Sequence, residues 1–387
     1  MNVFIVPSWY PSASNPSYGI FIREQIGMMA RLRSSWKIGV STWGQGDHDK
    51  LLWVRDHVKN ISKLSKHAND QAGVFENGFT EYYQPALSWT KKFRKGNLRE
   101  IIRCNELNYQ AHVLASGKPD VLMVQAAYPG VLIGAYLSEK YKVPVHLHVR
   151  LGGAMFEQML SELGSLKKEL LSALGKCDLV TATSDFHVSE IQKWVPHAQT
   201  LHNPVDTDFF ALSKTCDDYF LSIGRLEPEK GFDMLLDAIK NLPDVNLKIA
   251  GSGSQSDELT KRIIREDLSN RVELAGERSR EEVRNLMQEC QFLVLPSKYE
   301  TFGNVLLETM ACGKPVVATA CGGPQEIVSG KTGILTEVGV KSLEEGIVRM
   351  TKMHQDYDPV EIRDHVEKEF SPVKWMDWLE GMFRSIV

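Results

Sequence analysis

Short apolar runs rich in β-branched residues alternate with amphipathic stretches along most of the chain, the pattern of strands and helices in a parallel α/β sheet. In the first half, Val3–Val6, Ile38–Thr42, Val121–Val124, Val145–Val149 and Leu179–Ala182 predict strands. After the first of these, Ile20, Phe21, Gln25, Met28, Met29 and Leu32 set one face at helical spacing. Residues 44–100 break the pattern. They are polar with scattered aromatics and a basic cluster, Lys91-Lys92-Phe93-Arg94-Lys95, and predict long loops or an excursion from the sheet.

In the second half, strands are predicted at Tyr219–Ile223, Asn246–Ala250, Val272–Leu274, Phe292–Leu295 and Val316–Ala318. Helices fall between them at Phe232–Leu242, Asp257–Asp267, Glu281–Glu289 and Val305–Cys312. The turn-rich stretch Asn203-Pro204-Val205-Asp206 suits a linker, and the alternation restarts after it. The expectation is an α/β protein of two Rossmann-like doubly wound domains, residues 1–203 and 204–371, facing each other across a cleft. A helix at 372–387 carries Trp375 and Trp378. Ligands of such sheets sit outside the carboxyl ends of the strands, so the loops after strands hold the candidate chemistry.

Charge and cysteine usage narrow the class. With 45 Lys+Arg against 49 Asp+Glu the net charge is −4, which lacks the basic footprint of a nucleic-acid binder. Six cysteines, at 104, 177, 216, 290, 312 and 321, form no C-x-x-C pair and suit a reducing cytosol. Met1–Pro7 lacks the basic and long apolar regions of a signal peptide and reads as a first strand. No apolar run reaches the ~18 residues of a membrane span. A soluble, cytoplasmic protein is expected.

Four loops in the second half stand out. Gly224-Arg225-Leu226-Glu227-Pro228-Glu229-Lys230-Gly231 places two cations around a proline turn bracketed by glycines. Arg and Lys hold phosphate charge, and glycine lets a backbone come close to a ligand. Gly251-Ser252-Gly253-Ser254 is a strand-to-helix turn, but two glycines without a third make no dinucleotide fingerprint. In Pro296–Glu308, Glu300 lies in the loop and Glu308 about one turn inside the next helix. Between them the backbone N–H groups of Thr301, Phe302, Gly303 and Asn304 open a helix N-terminus, a ready anion site. A carboxylate on each side of a phosphate site can grip hydroxyls at both ends of a nucleotide-linked ligand. Gly322-Gly323-Pro324-Gln325-Glu326 brings a fourth loop to the same place.

Taken in this order and at these intervals, together with Gly313-Lys314-Pro315-Val316-Val317, the motifs resemble the retaining GT-B-fold glycosyltransferases of family 4 (glycosyl transferases group 1). The resemblance covers the whole second domain. It implies that Arg225 and Lys230 hold a diphosphate, that Glu308 binds the nucleotide ribose and that Glu300 contacts hydroxyls of the transferred sugar. It also implies donor contacts from Gly224, Ser252, Gly253 and Thr301–Asn304, and a last helix that crosses back onto the first domain.

The first domain resembles the family more loosely. Asn15-Pro16-Ser17-Tyr18-Gly19-Ile20-Phe21 occupies the glycine-bearing first loop with the single glycine Gly19, where many members have two. The strand that ends in histidine in many relatives ends here in Gln125, and Arg150-Leu151-Gly152-Gly153 stands where relatives carry a histidine near the sugar. His148, two residues earlier, should share a strand face with Arg150. Gln125, His148 and Arg150 are thus the acceptor- or sugar-proximal candidates, Arg150 as a holder of an anionic acceptor or of donor phosphate, or as a structural arginine. Asp206-Thr207-Asp208 has the spacing some sugar transferases use for a divalent metal, but the cationic pair supplies that charge, so no metal and no cofactor is expected.

The implied activity is retaining transfer of a hexose or N-acetylhexosamine from a UDP- or GDP-linked donor to an acceptor hydroxyl. A glycan or lipid-linked glycan of cell-surface polysaccharide synthesis is the acceptor the resemblance suggests. The basic cluster, with Arg99 and Arg103, reads as a solvated run or as peripheral contact with the inner membrane face. A monomer or weak dimer is expected. A nucleotide-sugar epimerase on the same architecture, an NAD-dependent dehydrogenase and a non-catalytic nucleotide-sugar sensor are the alternatives. Hydride transfer would leave Glu300 and Glu308 without a task.

Overall fold

A computed structural model describes residues 1–12, 15–16, 18–45, 52–53, 73–84, 86–88, 94–163 and 166–387. Two compact units emerge. One comprises Met1–Thr183, Val188–Leu201 and Met376–Val387, the other Ser184–His187 and His202–Trp375.

In the first unit the elements run β1 (Asn2–Pro7), α1 (Ile20–Leu32), β2 (Lys37–Thr42), β3 (Leu52–Trp53), β4 (Val74–Glu76), β5 (Phe79–Tyr83), β6 (Leu87–Ser88) and α2 (Arg94–Ser116). There follow β7 (Val121–Gln125), α3 (Gly130–Tyr141), β8 (Val145–Val149), α4 (Gly153–Glu162), α5 (Lys167–Leu174), β9 (Leu179–Ala182), α6 (Asp185–Ile191) and β10 (Gln199–Thr200). Eight strands form one sheet in the order β10-β9-β8-β7-β1-β2-β5-β4. All pair in parallel except β4, which runs antiparallel to β5. Every residue of β1, β7, β8 and β9 is buried, as expected of parallel strands covered on both faces.

For residues 44–100 the sequence predicts loops or an excursion from the sheet, but among the described ones Phe79–Tyr83 joins the main sheet beside β2 and Val74–Glu76 pairs with it. Phe79 and Tyr82, three apart and so on opposite faces of the strand, are both buried. Lys91 to Phe93 of the basic cluster lie outside the described residues, and Arg94 and Lys95 open α2.

The second unit carries β11 (Phe220–Ile223), α7 (Phe232–Ile239), β12 (Leu247–Ala250), α8 (Ser256–Arg265), β13 (Val272–Gly276), α9 (Arg280–Glu289), β14 (Leu293–Leu295) and α10 (Asn304–Ala311). Then come β15 (Val316–Thr319), α11 (Pro324–Ile327), β16 (Gly333–Thr336), α12 (Val340–Met353), α13 (Pro359–Phe370) and α14 (Pro372–Arg384). Six parallel strands run β13-β12-β11-β14-β15-β16, the strand order of a Rossmann sheet. Its switch point lies between β11 and β14, so the loops after those two strands flank the crevice where such sheets bind ligands. Both units therefore have the doubly wound α/β form that the sequence predicts.

Most of α14, from Met376 onward, belongs to the first unit. Phe383 is fully buried, stacked 6.2 Å from Trp36 and edge-on at 5.4 Å to His146. Arg33 pairs with both Asp377 and Glu380 at 2.6 Å. Trp375 is buried and Trp378 is nearly half exposed.

Two of the buried histidines of the first unit titrate low. His112 Nε2 lies 2.6 Å from Asn2 Oδ1, and burial, with a smaller push from the Lys37 charge, takes its pKa down to about 4. His146 in β8 is pushed down to about 3 by burial and then by the Arg150 charge. Both values lie below the ordinary ~6.5. The unfolded chain therefore takes up protons first as pH falls, and folding stability rises with pH through this range. We predict that stability drops between pH 6.5 and 5 by up to about 1.4 kcal/mol per pH unit for each histidine. Urea midpoints at pH 7, 6 and 5 measure it, and the slope should flatten in His112→Gln/His146→Gln. An unchanged slope would count against these two groups.

Candidate functional site

The site in the second unit is built on the loops after β11 and β14. Pro228–Lys230 forms a single 3-10 turn, closed by Gly231 at φ 70°, which also caps α7. A Cβ at Gly231 would lie 2.1 Å from the carbonyl oxygen of Pro296, so only glycine lets the two loops touch. The Glu229 carbonyl then accepts the Lys298 N–H at 2.8 Å, and Lys298 Nζ pairs with Asp233 at 2.8 Å.

This contact brings Lys230 to Glu300. Lys230 Nζ stands 2.5 Å from Glu300 Oε2, with side chains only 18% and 13% exposed. Arg225 remains 63% exposed and pairs with Glu229 at 3.1 Å. Lys230 of the first loop and Glu300 of the third therefore meet, while Arg225 pairs within its own loop.

Beyond Glu300 the loop is held by its neighbours. The Thr301 carbonyl accepts the Ser184 hydroxyl at 2.6 Å, and the Glu300 carbonyl accepts the Gly323 N–H at 2.9 Å. Phe302 is buried and stacks on His202 at 5.4 Å. Gly303, at φ 104°, is the N-cap of α10, and Asn203 Nδ2 donates to Asn304 Oδ1 at 3.0 Å. Glu326 supports this wall, accepting from the amides of Asp185 at 3.0 Å and Phe186 at 2.9 Å and lying 3.2 Å from His202 Nε2. Burial pushes its pKa up, but these hydrogen bonds outweigh burial and hold it below the usual carboxylate range.

Glu308 lies one turn inside α10 and pairs with Arg280 at 2.8 Å. Sequence reasoning missed Arg280. The only local signal was its place after Ser279, which forms a capping box with Glu282 at the start of α9. Ser252 donates to Glu277 at 3.3 Å. A Cβ at Gly253 would sit 2.4 Å from the Leu226 carbonyl oxygen. The close approach that this glycine permits is to the neighbouring loop, whereas Gly224 opens that loop with its N–H on the Ala250 carbonyl.

In the first unit, Arg150 donates to Gln125 Oε1 through Nε at 3.0 Å and Nη2 at 2.7 Å, and to Gln25 Oε1 at 2.6 Å. Its guanidinium lies over the Phe21 ring at 4.8 Å, and burial pushes its pKa down to about 9. Arg150 and Gln125 are thus together, joined by Gln25 of α1.

His148 pairs in register with Gln125 on the neighbouring strand, and its Nδ1 is 2.8 Å from Thr181 Oγ1, the same oxygen that His146 Nε2 approaches at 2.7 Å. Arg150 follows β8 by one residue. Gly19, at φ 73°, is the N-cap of α1 and packs on the backbone of Trp9. Asp206 Oδ1 accepts the N–H groups of Asp208 and Phe209 at 3.2 and 3.1 Å, which makes it the cap of a turn.

The second unit's site can therefore offer an anion two cations and the N-terminus of α10, with Glu300 and Glu308 placed for hydroxyl groups. Residues 205–363 match the family model described as glycosyl transferases group 1. Over 74% of the chain and 79% of the relative, the sequence is 29% identical to an uncharacterized glycosyltransferase of Methanocaldococcus jannaschii. It is 36% identical to the lipopolysaccharide core biosynthesis glycosyltransferase LpsE of Rhizobium meliloti, over 31% of this chain and only 35% of that relative's length. Among solved structures, Anabaena HepE in complex with UDP matches with a TM-score of 0.70 over all of both chains at 19% identity, which shows the fold, GT-B.

Gly231→Ala should force apart the loops after β11 and β14. The left-handed conformation alone costs about 1–2 kcal/mol for a residue with a Cβ, so chemical denaturation should show a loss of at least that size. A variant as stable as the parent would contradict the backbone contact with Pro296.

Proposed function

We propose a donor and a chemistry for a chain whose residues 205–363 match the family model of the glycosyl transferases of group 1. It moves a hexose or N-acetylhexosamine from a UDP- or GDP-linked sugar to an acceptor hydroxyl, with retention at the anomeric carbon. The observation that supports this reading is the meeting of Lys230 and Glu300 at the switch point between β11 and β14, with Arg225 in the same loop as Lys230.

The bond between the anomeric carbon and the diphosphate oxygen breaks, and negative charge grows on the leaving diphosphate. Arg225, Lys230 and the first amides of α10, at Gly303 and Asn304, supply positive potential there, which is electrostatic catalysis. Lys230 reaches the diphosphate by exchanging partners, since it pairs with Glu300 within the protein. Glu300, so released, turns to hydroxyls of the transferred sugar, and Glu308 takes the ribose. The acceptor attacks the face that the diphosphate leaves, and a departing phosphate oxygen removes its proton. In the first unit, Arg150 with Gln125 and Gln25 is the anion-holding group for donor phosphate or an anionic acceptor.

A glycan or lipid-linked glycan of cell-surface polysaccharide synthesis is the proposed acceptor. The protein works without a metal as a cytoplasmic monomer or weak dimer, in peripheral contact with the inner membrane face. Among the described residues, no helix is long and apolar enough to cross a membrane.

Thermal-shift screening over UDP-glucose, UDP-galactose, UDP-GlcNAc, UDP-GalNAc and GDP-mannose identifies the donor, and stabilisation by none would overturn the reading. With that donor, Lys230→Ala should lower kcat about 10²- to 10³-fold, the size of one lost oxyanion contact, in a protein that still folds. Unchanged turnover would remove Lys230 from the mechanism. Turnover should also survive EDTA, and its loss would show that a metal takes part.

A further inference from the structure

We infer that Arg280 is a positioning residue for the donor's ribose, acting through Glu308. The inference rests on the donor reading above and extends it to a residue outside the motif pattern. Arg280 is the first residue of α9 and is fixed from three sides. Its backbone follows Ser279, whose N–H donates to Glu282 Oε2 at 2.8 Å and whose hydroxyl accepts the Glu282 N–H at 3.3 Å, a capping box that holds the helix start. Its guanidinium lies 4.7 Å from the ring centre of Phe210, which is buried edge-on against Phe209. Its Nη2 donates to Glu308 Oε1 at 2.8 Å.

The consequence falls on Glu308, whose side chain is 10% exposed. Burying a carboxylate so far from water is costly unless an opposite charge stands beside it. Arg280 provides that charge through a planar donor that fixes orientation as well as sign. It takes Oε1 and leaves Oε2, which has no donor among the described residues. A vicinal diol has two O–H groups to give, and an ionised carboxylate held still is the acceptor that suits it. Without Arg280, Glu308 is free to change rotamer, and that change weakens the diol contact specifically.

A purely structural ion pair between α9 and α10 would not distinguish ligands by their ribose, which sets the test. The full-length protein is titrated calorimetrically with UDP and with 2′,3′-dideoxyuridine 5′-diphosphate, and in parallel with GDP and its dideoxy counterpart. Hydrogen bonds to a charged group support an affinity ratio of about ten- to a hundredfold between ribo and dideoxy forms in the parent. In Arg280→Met, which keeps the stem but not the charge, the ratio should fall to within about twofold of one while the dideoxy nucleotide binds as before. Arg280→Lys should restore part of the ratio, and Glu308→Gln should reproduce the loss. The unchanged dideoxy affinity also reports that the variant is folded. Arg280→Met retaining the parental ratio, or weakening both forms equally, would overturn the inference. Failure of the parent to bind any of the four nucleotides would overturn the donor reading and this inference with it.

Discussion

The backbone of the loop after β11 rests on the backbone of the loop after β14, and the second unit's site depends on that contact. Neighbouring parallel strands hold their chains about 4.8 Å apart, but at a switch point the crossovers leave in opposite directions and a crevice opens. Here the crevice is narrowed until Gly231 meets Pro296, and Glu229 and Lys298 share a backbone hydrogen bond. That crossing fixes where Lys230 and Glu300 emerge, within one hydrogen-bond length of each other though 70 residues apart in sequence. The chemistry is thus positioned by main chain rather than by long, freely rotating side chains.

Each charge of the proposed site has a partner within the protein: Lys230 with Glu300, Arg225 with Glu229, and Glu308 with Arg280. Pairing makes it tolerable to keep such groups partly out of water. A ligand on the proposed reading does not fill an unbalanced field. It substitutes for partners already there, so selectivity depends on how closely its charges and hydroxyls match the ones it displaces.

The sequence made the sheets legible for a physical reason. Strands covered on both faces read as largely apolar runs, and β1, β7, β9, β11 and β15 are such strands. Where a strand is short and lacks a period-2 pattern, as at Phe79–Tyr83, or where a long helix such as α2 is largely polar, the periodicity carried little signal. Arg225, Lys230, Glu300 and Glu308 were legible because they lie in loops of recognisable spacing. Their pairings were not, since Arg280 and Glu308 meet only through the packing of α9 against α10.

Two imidazoles, those of His146 and His148, close on the single hydroxyl of Thr181. That hydroxyl owns one proton and can give it to one ring only, although its lone pairs can accept from both. At most one of the two rings can therefore present a bare nitrogen to it, and the other must arrive carrying its hydrogen. The tautomers of the two histidines are consequently not independent variables. One oxygen atom imposes a parity rule on both, so moving a proton within either ring changes which arrangements remain open to the other.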